Sequence, residues 1–258
     1  MKTFVINLKH RVDRRIKTLA LLDGFPNLDV EVCEAIYGKT ISSAERSKLT
    51  AHFKYNYPIP ENALGCALSH RKSYEMLLQT DAPYALVVED DLLVSPLFAE
   101  SIDSAAEMIQ RQTAPCVILF TPHSLYARIP KSRSENLGFH KVYESTCAVA
   151  YMINRAGARF MLEKGNPIPI RYIADHWYFF IRKGLKVFAC VPHTVSYSND
   201  RTDSDLLEEH YTESARFKTV IKPSWPVWRR FWNPQNIRHI RTKFNKRLLF
   251  LKYNKKTW

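Results

Sequence analysis

Three adjacent acids, Glu89, Asp90 and Asp91, close the apolar run Ala85-Leu86-Val87-Val88. Neighbouring carboxylates repel one another, and a cation relieves the repulsion. Carboxylate oxygens suit hard divalent ions such as Mn²⁺ or Mg²⁺, which commonly combine one or two carboxylates with substrate phosphates. If strand alternation runs through the triplet, Glu89 and Asp91 point to one side. That acid-x-acid pattern would hold a metal against a diphosphate. The plain alternative is a solvated turn, since charge runs usually lie at the surface.

A basic group near the N-terminus is the complement. Asn7 ends the run TFVIN, and Lys9, His10, Arg11, Arg14 and Arg15 follow. These side chains supply donors for a nucleotide base and its phosphates. An ordinary basic helix start would look the same. The chain has no GxGxxG and no GxxxxGK[ST], so neither a dinucleotide-binding fold nor a P-loop is supported.

The elements that position these residues follow from periodicity. Strands are expected at 3–8, 29–35, 84–91, 116–120, 142–153 and 185–191. Helices are expected at 12–22, 65–79, 97–112, 155–164 and 174–183, the first burying Val12, Ile16, Leu19 and Ala20. Pro83 breaks the second helix. Ser42 or Ser43 with Glu45, and Glu61 with Asn62, offer helix-start chemistry. The polar stretch 123–140 reads as a loop. Alternating strands and helices predict an α/β fold with a mostly parallel central sheet. Ligands of such sheets bind outside the carboxyl ends of the strands, where the acid triplet falls.

The composition sets bounds. The 258 residues, 46% hydrophobic and 24% charged, fit one globular domain with an appendage. Thirteen of the 38 Lys and Arg lie between Arg216 and Trp258, where there is no acid, so the whole net charge of +13 resides there. Four of the five Trp lie there too. The expected division is therefore 1–215, a globular domain of balanced charge, and 216–258, a basic aromatic tail. Residues 237–252 place Ile237, Ile240, Phe244, Leu248 and Leu251 on one helical stripe, which suits an anionic membrane interface; packing of that stripe on the domain is the alternative. Five cysteines without a CxxC point to reduced thiols in a cytoplasmic setting. No stretch reads as a membrane span, and charges from Lys9 to Arg14 interrupt any signal-like run.

Three segments in order, INLKHRVDRR at 6–15, GCALSH at 65–70 and ALVVEDD at 85–91, resemble the bacterial lipooligosaccharide glycosyltransferases of glycosyltransferase family 25, which include β-1,4-galactosyltransferases. The similarity continues through CAVAYMINRAGARFML at 147–162 and PIPIRYIADHWYF at 167–179, and covers about 1–195. It implies a GT-A-like domain, UDP-galactose or UDP-glucose as donor, inversion at the anomeric carbon, and Mn²⁺ or Mg²⁺. It also implies a glycolipid oligosaccharide acceptor and a peripheral place on the inner face of the bacterial inner membrane.

The resemblance also assigns roles. Asp91 becomes the main metal ligand, with Glu89 and Asp90 contacting the metal, its waters or the donor ribose. Asp175 matches the family's aspartate before an apolar helix and is the candidate base, with Glu89 as runner-up. A helix N-cap is the other reading of Asp175. Ser69 and His70 are donor-site candidates from the GCALSH motif, in which Cys66 reads as a packing residue. His193, after the strand LKVFACV, is a candidate second metal ligand, though the segment departs from the family's usual glutamine-bearing pattern. Asn199, Asp200 and Arg201 are candidates for the acceptor side.

Two other functions compete. A nucleic-acid-binding module would use the basic tail, but the charge balance of 1–215 speaks against it, and no nucleic acid is expected. A metal-dependent phosphoryl-transfer site would need further carboxylates for a second metal, and only the loop-like Asp200, Asp203 and Asp205 are on offer.

Overall fold

The computed structural model describes residues 1–51, 59–122, 124–197 and 250–252. In chain order the elements are β1 (Lys2–Asn7), α1 (Val12–Asp23), β2 (Asp29–Glu34), a 3₁₀ turn (Gly38–Thr40), α2 (Ser43–Leu49), α3 (Glu61–Gln79), β3 (Tyr84–Glu89), β4 (Leu92–Val94), α4 (Phe98–Gln110) and β5 (Cys116–Leu119). There follow β6 (Ser124–Ala127), β7 (Ser132–Arg133), β8 (Gly138–Ser145), β9 (Ala150–Asn154), α5 (Arg155–Phe160) with a π turn (Met161–Gly165), α6 (Trp177–Lys183), β10 (Lys186–Val191), β11 (Val195–Tyr197) and β12 (Phe250–Lys252).

The main sheet runs β12-β6-β8-β10-β5-β9-β3-β1-β2, with β7 beside β8. Five strands of its centre, β10, β5, β3, β1 and β2, point the same way, and β9 runs against them between β3 and β5. The expected α/β sheet, mostly parallel at its centre, is therefore present. Strands buried on both faces read as unbroken apolar runs, because each alternate residue meets a different helical layer. In β1, Phe4 and Ile6 face a core with Tyr74, Leu77, Trp177 and Phe180 from α3 and α6. Val5 faces the opposite core, with Leu22 of α1 and Phe98, Ile102 and Ile109 of α4.

Four local expectations need correction. The segment 123–140 is not a loop: it carries β6, β7 and the start of β8, which extend the sheet as an antiparallel meander. Cross-strand pairing orders this polar stretch, and period-2 hydrophobicity does not record such pairing. The single strand expected at 142–153 is two, broken at 146–149, where Cys147 takes φ 100°.

The buried face of α1 also differs. Val12 and Ile16 are 42% and 64% exposed, while Thr18 and Leu22 are buried. The inward stripe is Arg14, Thr18 and Leu22, chosen by polar anchors: Thr18 Oγ1 donates to the Asp90 carbonyl at 2.9 Å, and Arg14 reaches the Asp90 carboxylate at 3.3 Å. Last, Phe250–Lys252, read as the end of a basic helix, form β12 antiparallel to β6. The backbone groups of an open sheet edge accept any extended segment. The rest of that tail, and Asn199, Asp200 and Arg201, lie outside the described residues. Among the described residues no helix is long and apolar enough to cross a membrane.

The capping box at Ser42 and Glu45 is formed, and α3 begins at Glu61 as its helix-start residues suggested.

Candidate functional site

Parallel pairing sets the carboxyl ends of β2, β1 and β3 side by side, with Glu34 level with Asn7 and Ile6 level with Glu89. The chain leaves the sheet at all three ends and opens a cavity of about 120 Å³. Its polar lining includes Arg14, Tyr37, Asn62, Ser69, His70, Glu89, Asp90 and Asp91, together with the thiol of Cys66.

The GCALSH motif builds one wall with two adjacent faces of α3. Gly65 and Ser69, one turn apart, dock the helix onto the exit of β2. A Cβ on Gly65 would stand 2.5 Å from the Ile36 carbonyl oxygen and 2.6 Å from the Gly38 nitrogen, so only glycine lets the backbones approach. Ser69 Oγ accepts from Ile36 N at 2.8 Å and donates to Gly65 O at 2.7 Å. Both hydroxyl functions are thus engaged in holding the wall. Cys66 and His70, also one turn apart, turn to the acids. His70 is 1% exposed; its Nε2 lies 3.0 Å from Glu89 Oε1 and its Nδ1 lies 2.8 Å from the Tyr151 hydroxyl.

The three acids part company at the strand end. Strand β3 stops at Glu89, and Asp90 and Asp91 form a turn, so the expected alternation does not extend through them. Asp90 turns into structure: Asn7 Nδ2 donates to its Oδ2 at 2.6 Å, and Arg14 pairs with its Oδ1. Burial pushes its carboxyl up, while Asn7 and Arg14 pull it back. Asp91 Oδ1 is buried without a hydrogen-bond partner. Burial, and then the charges of Glu89 and Asp90, push its carboxyl up to about 7. An acid held in that condition is what a cation relieves, so the residues present fit a hard divalent ion at Asp91 and Glu89.

The sequence-predicted residues divide. Arg14, Ser69, His70, Glu89, Asp90 and Asp91 meet around one cavity. Asn7 stands behind it, 1% exposed, and orients Asp90 and the Arg11 carbonyl rather than a ligand. Neither Arg11, which pairs with Asp13 at 3.6 Å, nor Arg15 lines the cavity. His193 is buried with its ring edge-on to Tyr126, and it is absent from the cavity lining and from the cluster of metal-capable side chains found among the described residues.

Asp175 is not a helix N-cap. It lies in a turn before α6, whose first turn has no side-chain cap, and its Oδ1 is buried without a partner. Its charge and that of Glu89 both reach the Cys66 and Cys147 thiols, and both raise them. It does not line the cavity, and its influence on the same two thiols as Glu89 is what sets it near the acids.

Several site residues escaped the sequence reading. Tyr37 and Asn62 line the cavity, and Tyr151, expected only as strand core, holds His70. Tyr151 in turn donates to the Tyr74 hydroxyl at 2.9 Å. Strand alternation marks Tyr151 as inward; only its phenol, which needs a buried partner, hinted at more.

Comparison with known proteins adds the following. A family model described as glycosyltransferase family 25 (LPS biosynthesis protein) matches residues 1–177. Procollagen galactosyltransferase 1-A of Xenopus laevis is 32% identical over 243 residues, 82% of this chain and 39% of that protein. The lacto-N-neotetraose biosynthesis glycosyltransferase LgtE of Neisseria meningitidis is 23% identical over 203 residues, 74% of this chain and 72% of that one. A crystal structure of the galactosyltransferase LgtC with donor and acceptor sugar analogues is 13% identical and covers 87% of this chain and 99% of its own, with a TM-score of 0.36. The chain spans about two fifths of the length of the procollagen relatives it matches.

Proposed function

We propose, from the premise that this chain belongs to glycosyltransferase family 25, that it is a metal-dependent inverting enzyme moving a hexose, galactose, from a UDP-sugar to a lipooligosaccharide or lipopolysaccharide acceptor. The observation that carries this reading is the buried, unpartnered Asp91 oxygen beside Glu89 at the strand-end cavity. Relatives named as procollagen galactosyltransferases support the sugar.

In this reading Asp91 and Glu89 hold Mn²⁺ or Mg²⁺. When bound, such an ion neutralises charge developing on a departing diphosphate. Arg14, fixed by Asp90, brings a cation to the same cavity and adds to that neutralisation. His70 Nε2 faces Glu89 Oε1 at 3.0 Å. Asp175 takes the proton of the acceptor hydroxyl, as direct displacement with inversion requires. The direct test is a panel of UDP-sugars with Mn²⁺ or with EDTA, read as UDP release. Release with UDP-galactose that EDTA stops is expected. Absence of release from every sugar nucleotide would refute the reading, and full release in EDTA would remove the metal from it.

The Asp91 carboxyl gives a pH prediction. In the unfolded chain it ionises near about 4; in the folded chain it holds its proton up to about 7. The stability tied to that proton is complete below the unfolded value and is lost as pH rises through the folded one. A bound divalent ion takes the proton's place. Mn²⁺ should therefore raise the melting temperature more at pH 8 than at pH 6, with affinity falling about fivefold from pH 7 to pH 6. Thermal melts at the two pH values check this. Equal shifts would take Asp91 out of the ligand set.

The basic tail suits a peripheral seat on the anionic inner face of the bacterial inner membrane, where a lipid-linked acceptor would lie. Truncation after Thr219 should free the protein from anionic vesicles and leave donor hydrolysis intact. Vesicle binding that survives truncation would assign the membrane contact elsewhere.

A further inference from the structure

Cys66 and His70 stand at i and i+4 on α3, and Glu89 meets them from the end of β3. The thiol sulfur, an imidazole nitrogen and a carboxylate oxygen all lie within 4.8 Å of one another, the one such cluster among the described residues.

The hydrogen-bond pattern decides what the imidazole presents. The Tyr151 hydroxyl donates its one proton to Tyr74, so toward His70 it can only accept. The hydrogen of a neutral ring is therefore on Nδ1, and Nε2 turns a lone pair onto Glu89 Oε1 at 3.0 Å. Two acceptors then face each other at hydrogen-bond distance. They repel unless a cation stands between them. A proton fills that place, and so does a metal ion. The sulfur alongside selects which metals compete, because thiolate and imidazole favour soft or borderline ions over Mn²⁺ and Mg²⁺.

We propose that Cys66, His70 and Glu89 form a binding site for a zinc-type divalent cation, overlapping the hard-cation site through Glu89. Sulfur, nitrogen and oxygen from three residues that line the cavity are a donor set of the kind that holds zinc with one position left for a further ligand. Zinc bonds of about 2.3 Å to sulfur and about 2.0 Å to nitrogen put those two atoms about 3.5 Å apart, a closure within reach of thiol rotation. The hydrogen bond from His70 Nδ1 to Tyr151 is the outer support that metal-bound histidines commonly have. On binding, the Cys66 thiol proton leaves for solvent and the sulfur coordinates as thiolate. A zinc ion there occupies Glu89, so it would oppose activation by Mn²⁺. This last consequence rests on the transferase reading; the binding itself does not.

The test uses the full chain, stripped with chelator and titrated with Co²⁺ as a spectroscopic stand-in for Zn²⁺. One equivalent should bring in a sulfur-to-cobalt charge-transfer absorption, which Zn²⁺ then removes. Cys66→Ser should lose that absorption and weaken Zn²⁺ binding by at least about tenfold. Cys147→Ser, which alters the other thiol near Glu89, should keep it. Tyr151→Phe should also keep it, with Zn²⁺ affinity lower by about 10–100-fold, and this variant carries the test if Cys66→Ser does not fold. Cobalt bound without a thiolate band, unchanged Zn²⁺ affinity in Cys66→Ser or, where that variant does not fold, in Tyr151→Phe, or a band that depends on Cys147 would each overturn the proposal. None of these measurements needs a sugar donor, so they fail separately from the transferase reading.

Discussion

Asp91→Asn should cut sugar transfer by about 10³-fold or more, which corresponds to about 4 kcal/mol of lost transition-state stabilisation, while the metal-free variant melts no lower than the parent at pH 8. The two halves of this result come from one cause. Asp91 Oδ1 is buried without a hydrogen bond, and its carboxyl is held up to about 7 by burial and by its acidic neighbours. At pH 8 the folded protein must carry that charge uncompensated, and an amide carries none. A residue that stabilised the fold would behave in the opposite way, because its loss would lower the melting temperature. Melting curves of the two metal-free proteins, UDP release at saturating donor, and the size of the Mn²⁺-induced shift together decide the matter. The variant should show no such shift. A variant that transfers at the parental rate would move the metal, if there is one, away from Asp91.

Asp175→Asn should lower kcat by about 10²–10⁴-fold, the range of a general base, with donor affinity within about threefold of the parent. The structure removes the competing explanation, since Asp175 caps no helix and its Oδ1 has no partner to lose. Melting temperature should therefore change little. The informative readouts are kcat against an acceptor series, and donor affinity by titration with UDP. Near-parental transfer by Asp175→Asn would leave Glu89 as the base. Glu89 is a less free one, because His70 Nε2 stands 3.0 Å from its Oε1.

Much of the framework was legible from residue order. Four apolar residues ending in acids announced a buried strand, and its carboxyl end opens on the cavity. The GCALSH motif was legible as part of a long helix, and Pro83 as lying beyond its end. These features depend on local dihedral preference and on which atoms avoid water, and both are properties of short windows of sequence. The α1 face was misread for a related reason. Counting apolar side chains chose Val12 and Ile16, whereas the helix is rotated by contacts of Arg14 and Thr18 with Asp90, more than 70 residues away in sequence. The meander of β6 to β8 was missed because its order comes from backbone pairing across strands.

The direction of each carboxylate was a matter for the tertiary structure. By composition alone Glu89, Asp90 and Asp91 were three equal acids. Residue order placed them at the edge of a sheet and indicated that charge would gather there. It could not say that Asn7 and Arg14 would engage Asp90, that His70 would face Glu89, or that Asp91 would be left with a bare buried oxygen. Those outcomes depend on which distant donors arrive within about 3 Å, and distances between elements are set only when the helices pack on the sheet.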